Sequence, residues 1–360
     1  MEYAKRALLG FDAYVDEIYR PVRERTEKGP VPYAAMAEFG QRVAGAAGKS
    51  IDMDLIRGRV HMGGNAPLMA DGMAALGVPV HLICGAGKPE YDPAFRELAG
   101  RVRLDAIGNP CRSIALEFDD GKVLMGDPEN GECVRLESIR DTLGEERLEA
   151  AVREAHLIAS VNWSSCPGLP EIARHLAELS RRFPLLDGEE RLFFFDLSDP
   201  SSVEEKHFSR ILDCIRDIGA DSPAVLGLNR NEFERVLAAL GIGGVSGELA
   251  DSVSESGPKL LEALRLRVLT VHSARVSFAL SADGIWRADG AYTARPAFTT
   301  GAGDHYNAGF CWALLSGLPL SECVRAAYFA AAFYVRSGRS AEREELSALS
   351  VQDKWNKQRR

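Results

Sequence analysis

Residues 299–309 read Thr299-Thr300-Gly301-Ala302-Gly303-Asp304-His305-Tyr306-Asn307-Ala308-Gly309, and an apolar helical pattern runs on from Phe310 to Leu315 and stops at Gly317. Gly301 and Gly303 let the backbone turn tightly and present bare N–H groups at a helix N-terminus, which makes a ready anion site. Asp304 falls in the first helical turn, beside whatever those amides hold. Spacing alone leaves an equal alternative, a glycine-rich turn whose Asp complements the helix dipole.

Working outward, short unalternated apolar runs recur at Ala7–Leu9, Val78–Ile83, Leu157–Val161, Leu192–Phe195, Ala224–Leu226 and Val268–Val271. Each is followed by a turn and a helix-length segment. Such runs read as strands buried on both faces, joined in βα units into a mostly parallel sheet. Ligands in these sheets bind at the carboxyl ends of the strands. Ser113 to Phe118 instead alternates apolar and polar residues, turns at Asp119-Asp120-Gly121-Lys122 and continues through Val123-Leu124-Met125. That pattern predicts a β-hairpin outside the parallel sheet. Pro21 to Ile56 is charged and glycine-punctuated, with helical patches.

A second glycine turn lies at Met62-Gly63-Gly64-Asn65-Ala66-Pro67, with Gly77 ending the helix that follows. By itself it is an ordinary helix start, with Asn65 as N-cap and Pro67 in the first turn. Together, and in this order, the GGN and GAGD turns resemble the paired signatures of the PfkB, or ribokinase-like, carbohydrate kinases. The resemblance covers most of residues 5–340. It implies a three-layer α/β/α sandwich with a mostly parallel central sheet and a small β lid. Residues 1–345 would form one kinase domain with the lid contributed by about 12–35 and 109–128, and 346–360 would be a polar tail.

The resemblance also implies roles. Asp304 would be the general base, with Gly301, Ala302 and Gly303 as the anion hole for the transferred phosphoryl group. In Leu8 to Asp16, Asp16 fits the sugar-binding Asp best, with Asp12 its rival; Gly63, Gly64 and Asn65 would also meet the sugar. Asn229-Arg230-Asn231-Glu232 resembles the family's N-x-x-E element, so Asn229 and Glu232 would hold Mg²⁺, through water, beside ATP. Read without the other motifs, Asn229 and Glu232 have capping-box spacing ahead of an amphipathic run. Many relatives also use K⁺ near the anion hole, and relatives often pair as homodimers through the lid.

The chain departs from the family pattern in places. Where relatives carry Thr-x-Gly-x-x-Gly at the nucleotide phosphates, it has Thr270-Val271-His272-Ser273-Ala274-Arg275. Thr270, His272 and Ser273 remain nucleotide-side candidates, and Arg275 would replace the lost backbone approach with a charged donor. Asp196-Leu197-Ser198 stands where relatives carry Asp-x-Asn. Cys111-Arg112 replaces a Thr-Gly before the lid hairpin.

Composition narrows the alternatives. Across 360 residues, 43 Lys and Arg face 52 Asp and Glu, for a net charge of −9, so a basic face for nucleic acid or anionic membrane is not expected. The apolar stretch near the N-terminus ends at Asp12, and no uninterrupted apolar run approaches a membrane span. The seven cysteines lack a CxxC pair, which favours reduced thiols and a cytoplasmic protein over a zinc site or disulfides. His61, His156, His175, His207 and His305 show no metal-binding spacing and read as packing or surface residues. No GxGxxG or GxxxxGK[ST] follows a strand, so dinucleotide oxidoreductases and P-loop kinases are disfavoured. The remaining rival is a ribokinase-like sensor that binds sugar or nucleotide without turnover.

Overall fold

The computed structural model describes residues 5–127, 129–186, 188–243, 247–294, 296–298 and 300–346. The parallel strands are β1 (Arg6–Phe11), β5 (Val80–Cys84), β6 (Arg103–Ala106), β9 (Ala155–Ser160), β10 (Leu192–Asp196), β11 (Ala224–Asn229) and β12 (Val268–His272). Two antiparallel strands, β13 (Val276–Ser281) and β14 (Gly284–Asp289), extend one edge, giving the order β14-β13-β12-β11-β10-β9-β1-β5-β6. The register is direct, with Leu9 of β1 opposite Leu82 of β5 and Ala159 of β9.

Successive strand side chains point to opposite faces, so each apolar run feeds two cores. Phe193 and Phe195 pack on one face with helices α4 (Leu136–Glu154), α5 (Leu169–Arg182), α6 (Glu205–Asp221), α7 (Arg230–Leu240) and α8 (Leu249–Ala263). Phe194 packs on the other with α2 (Asn65–Ala75), the short α3 (Arg96–Ala99), α9 (Ala302–Leu315) and α10 (Leu320–Ser337). This is the expected three-layer sandwich.

A second sheet stands apart. It contains β2 (Tyr14–Thr26), β3 (Gly29–Pro32), β4 (Leu55–Gly63), β7 (Cys111–Glu117) and β8 (Lys122–Asp127), with β2 pairing β3, β4 and β7. The predicted hairpin is β7–β8, closed by the Phe118 N–H donating to the Gly121 carbonyl. β4 also belongs to this sheet, although it lies outside 12–35 and 109–128. Its residues are mostly exposed on both faces, so no alternation marks it as a strand. Between β3 and β4, α1 (Met36–Ala44) realises the helical patch in 21–56, and Met36 and Phe39 pack against Tyr33, Leu116 and Phe118. The polar tail from 347 onward lies outside the described residues.

Candidate active site

The carboxyl ends of β1, β9, β10 and β11 deliver Asp12, Asn162, Asp196 and Asn229 to one side of the sheet. Asp12 is turned inward. Its carboxylate accepts the backbone N–H groups of Asn65 (2.8 Å) and Ala66 (2.9 Å) and the Asn162 Nδ2 (2.9 Å). It therefore caps α2 from outside the helix, supplying the acceptor that helix N-termini need. The N-cap position itself is Gly64, at φ 95°, and Asn65 is the first helical residue rather than the cap. The Asn65 side chain donates to Asp196 (3.2 Å), which also accepts from Asn307 Nδ2 (2.8 Å) and the Ser198 N–H (3.1 Å). Asp12 and Asn65 thus build the floor of the site, and the rival reading of Asp12 as the sugar carboxylate loses its geometric support. Burial raises the Asp196 carboxyl to about 6 against these hydrogen bonds.

Gly301 occupies the N-cap of α9 in the left-handed region, at φ 90°, and Ala302, Gly303 and Asp304 form the first turn. The first N–H groups of a helix have no partner inside it, so this turn carries amides that the helix itself does not satisfy. Asp304 is only 8% exposed. Burial raises its carboxyl well above the ordinary carboxylate range, and the charges of Asp196, Asp12 and Asp16 raise it further. A carboxylate so placed is a stronger base than one in water.

Across from this turn, Asp16 projects from the lid strand β2. Ser113 Oγ on the paired strand β7 donates to Asp16 Oδ1 at 2.5 Å. Gly63, at the end of β4, gives the Asp16 carboxylate its room, because a Cβ there would overlap it. Gly64 packs closely on Ala13 and Asp12. Lys122 at the start of β8 is half-buried, and burial lowers its ammonium against the opposing pull of Glu117 and Asp16. Ser113 and Lys122 were not singled out from sequence, since only the lid pairing reveals that they share Asp16's surroundings.

On the other side of the turn lies a cavity of about 250 Å³, lined by His272, Ser273, Tyr292, Ala302, Gly303 and Tyr306 among others. His272 stacks on Tyr306 at 4.5 Å between centroids, and a Cβ on Gly303 would meet its ring at 3.6 Å. An imidazole therefore walls the pocket. Two nucleotide-side candidates are not brought into it. Thr270 is fully buried, with its hydroxyl donating to the Phe278 carbonyl and paired with the Tyr306 hydroxyl. Arg275 stays outside, its guanidinium 4.1 Å from the centre of the Tyr292 ring.

Asn229 and Glu232 form the full capping box of α7. The Asn229 side chain accepts the Glu232 N–H, and Glu232 accepts the Asn229 N–H at 2.8 Å. Glu232 is 3% exposed, and burial with the charges of Asp196, Asp199 and Asp304 raises its carboxyl strongly. A buried carboxylate among carboxylates suits a hard divalent cation. Among the described residues no three His, Cys, Asp or Glu side chains converge to hold a metal by themselves. The donors present therefore fit Mg²⁺ held through water and nucleotide phosphates.

The comparisons agree with this architecture. The family model described as prokaryotic ketohexokinase matches residues 3–353. A ketohexokinase from Haloferax volcanii is 28% identical over 353 residues, covering 96% of this chain and 90% of that protein. Among solved structures, Arabidopsis thaliana ribokinase complexed with ribose and ATP superposes with a TM-score of 0.67 at 18% identity, covering 97% of this chain and all of that one. Thermotoga maritima ribokinase gives 0.63 at 17%, with 97% and 100% covered. Methanocaldococcus jannaschii nucleoside kinase gives 0.62 at 16%, with 96% and 97% covered. The solved neighbours establish the ribokinase fold, and no helix of the described residues is long and apolar enough to cross a membrane. The chain belongs to the prokaryotic ketohexokinase family of ribokinase-like proteins and is an ATP-dependent carbohydrate kinase.

Proposed function

We propose that the acceptor is a ketohexose, that Asp304 takes the proton of its reacting hydroxyl, and that the 301–303 amides hold the phosphoryl group in flight. The observation that carries this reading is the meeting of three features at one place. A buried carboxylate sits in the first turn of α9, amides with no partner inside the helix stand beside it, and a lid carboxylate, Asp16, lies close enough for its charge to act on Asp304. The ketohexose acceptor rests on the name of the Haloferax relative and the matching family.

The roles follow from the chemistry. Phosphoryl transfer needs positioning and charge neutralisation more than covalent help. Asp16, held by Ser113, accepts hydrogen bonds from sugar hydroxyls. Asp304 receives the hydroxyl proton as the sugar oxygen bonds to the γ-phosphorus and the bond from that phosphorus to the bridging oxygen breaks, releasing ADP. The Ala302 and Gly303 amides face the oxygens on which charge accumulates. The nucleotide lies along the cavity walled by His272 and Tyr306, and Mg²⁺ would be held through water by Glu232 and Asn229, supplying charge neutralisation at the phosphates. The lid excludes water, which would otherwise compete as acceptor.

A donor-by-acceptor screen for phosphorylated sugar tests the reading, with ketohexoses, aldohexoses, pentoses and nucleosides as acceptors. The expected result is the highest kcat/KM on a ketohexose with ATP. Faster turnover of a nucleoside or pentose would overturn the acceptor assignment.

A further inference from the structure

His305 carries hydrogen bonds that a packing residue does not need. Its backbone N–H donates to the Gly301 carbonyl at 3.0 Å, and its ring Nδ1 lies 2.7 Å from the same oxygen. A carbonyl cannot donate, so Nδ1 carries the hydrogen and Nε2 is the acceptor nitrogen. Nε2 lies 2.9 Å from Ser340 Oγ, beyond the end of α10. Ser340 in turn meets Asp71 of α2, whose other oxygen accepts from Arg101. The ring is 2% exposed and lies flat on Tyr334, 3.7 Å between centroids and 14° between planes. Burial keeps the imidazole neutral, lowering it to about 4.

The Gly301 carbonyl belongs to the same planar peptide as the Ala302 N–H, and in a trans peptide the two point in opposite directions. Whatever fixes the carbonyl therefore aims the amide. We propose that His305, Ser340 and Asp71 form a positioning chain that locks the Gly301–Ala302 peptide and so directs the Ala302 amide at the transferring phosphoryl group. The inference rests on the 301–303 turn being the anion hole. It also links the two halves of the site, since α2 begins at the floor residue Asn65 and α9 bears Asp304.

Counting protons sharpens the chain. With the ring hydrogen on Nδ1, one Ser340 hydroxyl hydrogen faces two acceptors, Nε2 and the Asp71 side chain. It points to Asp71 Oδ2, so the link to Nε2 is one proton short. Asp71→Asn supplies it, because the amide donates to Ser340 Oγ and frees the hydroxyl hydrogen for Nε2.

The test measures kcat and both KM values with ATP and a ketohexose, plus thermal melting, for His305→Phe, His305→Asn, Asp71→Asn and Gly303→Val. Phe keeps the stacking on Tyr334 and the backbone bond to Gly301 but loses both side-chain hydrogen bonds; Asn keeps a donor where Nδ1 stands. His305→Phe should lose about tenfold or more in kcat, less than the loss of a whole oxyanion donor, with the sugar KM within about twofold. His305→Asn should recover to within about threefold of wild type, and Asp71→Asn should match or exceed it. Unchanged kcat in His305→Phe, or equal loss in His305→Asn, overturns the chain. Should His305→Phe fail to fold, His305→Gln replaces it, since its amide reaches the Nε2 position and leaves the Gly301 carbonyl without its side-chain donor. Gly303→Val separates the two ideas: full kcat there removes the anion hole itself, whereas its loss beside an active His305→Phe removes only the chain.

Discussion

Replacing Asp304 with Asn deletes one proton-accepting group and one buried negative charge while keeping the side chain's shape. Loss of a positioned general base costs about 10²–10⁴-fold in turnover. Stability should move the other way. The Asp304 carboxyl is raised by burial and by Asp196, Asp12 and Asp16, whereas in the unfolded chain it titrates near 3.9. Between those two values the unfolded chain has released its proton and the folded chain has kept it. Each pH unit in that window therefore removes about 1.4 kcal/mol of folding stability, and the loss is complete above the folded value. Asn carries no such penalty, so its advantage over Asp should be absent near pH 3.5 and grow as pH rises. For 360 residues at ~2.1 cal/mol/K each, 1 kcal/mol shifts Tm by about 1.3 °C. Coupled-enzyme kinetics and melting curves at pH 5, 6 and 7 read both effects. Turnover within tenfold of wild type would refute the base assignment. A melting temperature several degrees below wild type at pH 7 would refute the electrostatic argument.

Further substitutions separate floor, lid and metal. Asp12→Ala strands two helix N–H groups and the Asn162 amide, each a charge-assisted bond worth about 1.5–3 kcal/mol, so melting should fall by at least about 6 °C. Unchanged melting would show that Asp12 is not the cap of α2. Gly63→Ala places a methyl on the Asp16 carboxylate and should raise the sugar KM by about tenfold or more, leaving the KM for ATP nearly constant; equal rises in both would count against Asp16 as a sugar ligand. Glu232→Gln removes a charge from the carboxylate cluster and should raise the Mg²⁺ concentration for half-maximal activity by about threefold or more. An unchanged Mg²⁺ titration would remove Glu232 from the metal site.

The parallel sheet was legible because its strands are buried on both faces, so Leu192–Phe195 or Val268–Val271 reads as an unbroken apolar run. The GAGD turn was legible because glycine spacing and the following helix are local. Strand β4 was not, since its side chains face solvent on both sides and carry no periodic signal. The pairing of Ser113 with Asp16 and of Asn307 with Asp196 spans 97 and 111 residues, a separation at which spacing says nothing. Asp12 stayed a rival to Asp16 for a related reason. A carboxylate after the first strand is compatible with either a substrate or a helix N-terminus, and only the position of α2 decides. His305 read as packing because its partners, Ser340 beyond the end of α10 and Asp71 on α2, come from distant parts of the chain. The GAGD turn and the GGN turn announced which helices matter, whereas the contacts between them had to come from the fold.

The most direct test is a single product measurement. Wild type and Asp304→Asn are incubated with ATP, Mg²⁺ and a ketohexose, and ketohexose phosphate is quantified by mass spectrometry against ADP release. The account predicts one phosphorylated sugar per ADP in wild type and at least about 100-fold less in the variant. ADP release without phosphorylated sugar, or equal sugar phosphate from both proteins, would contradict it.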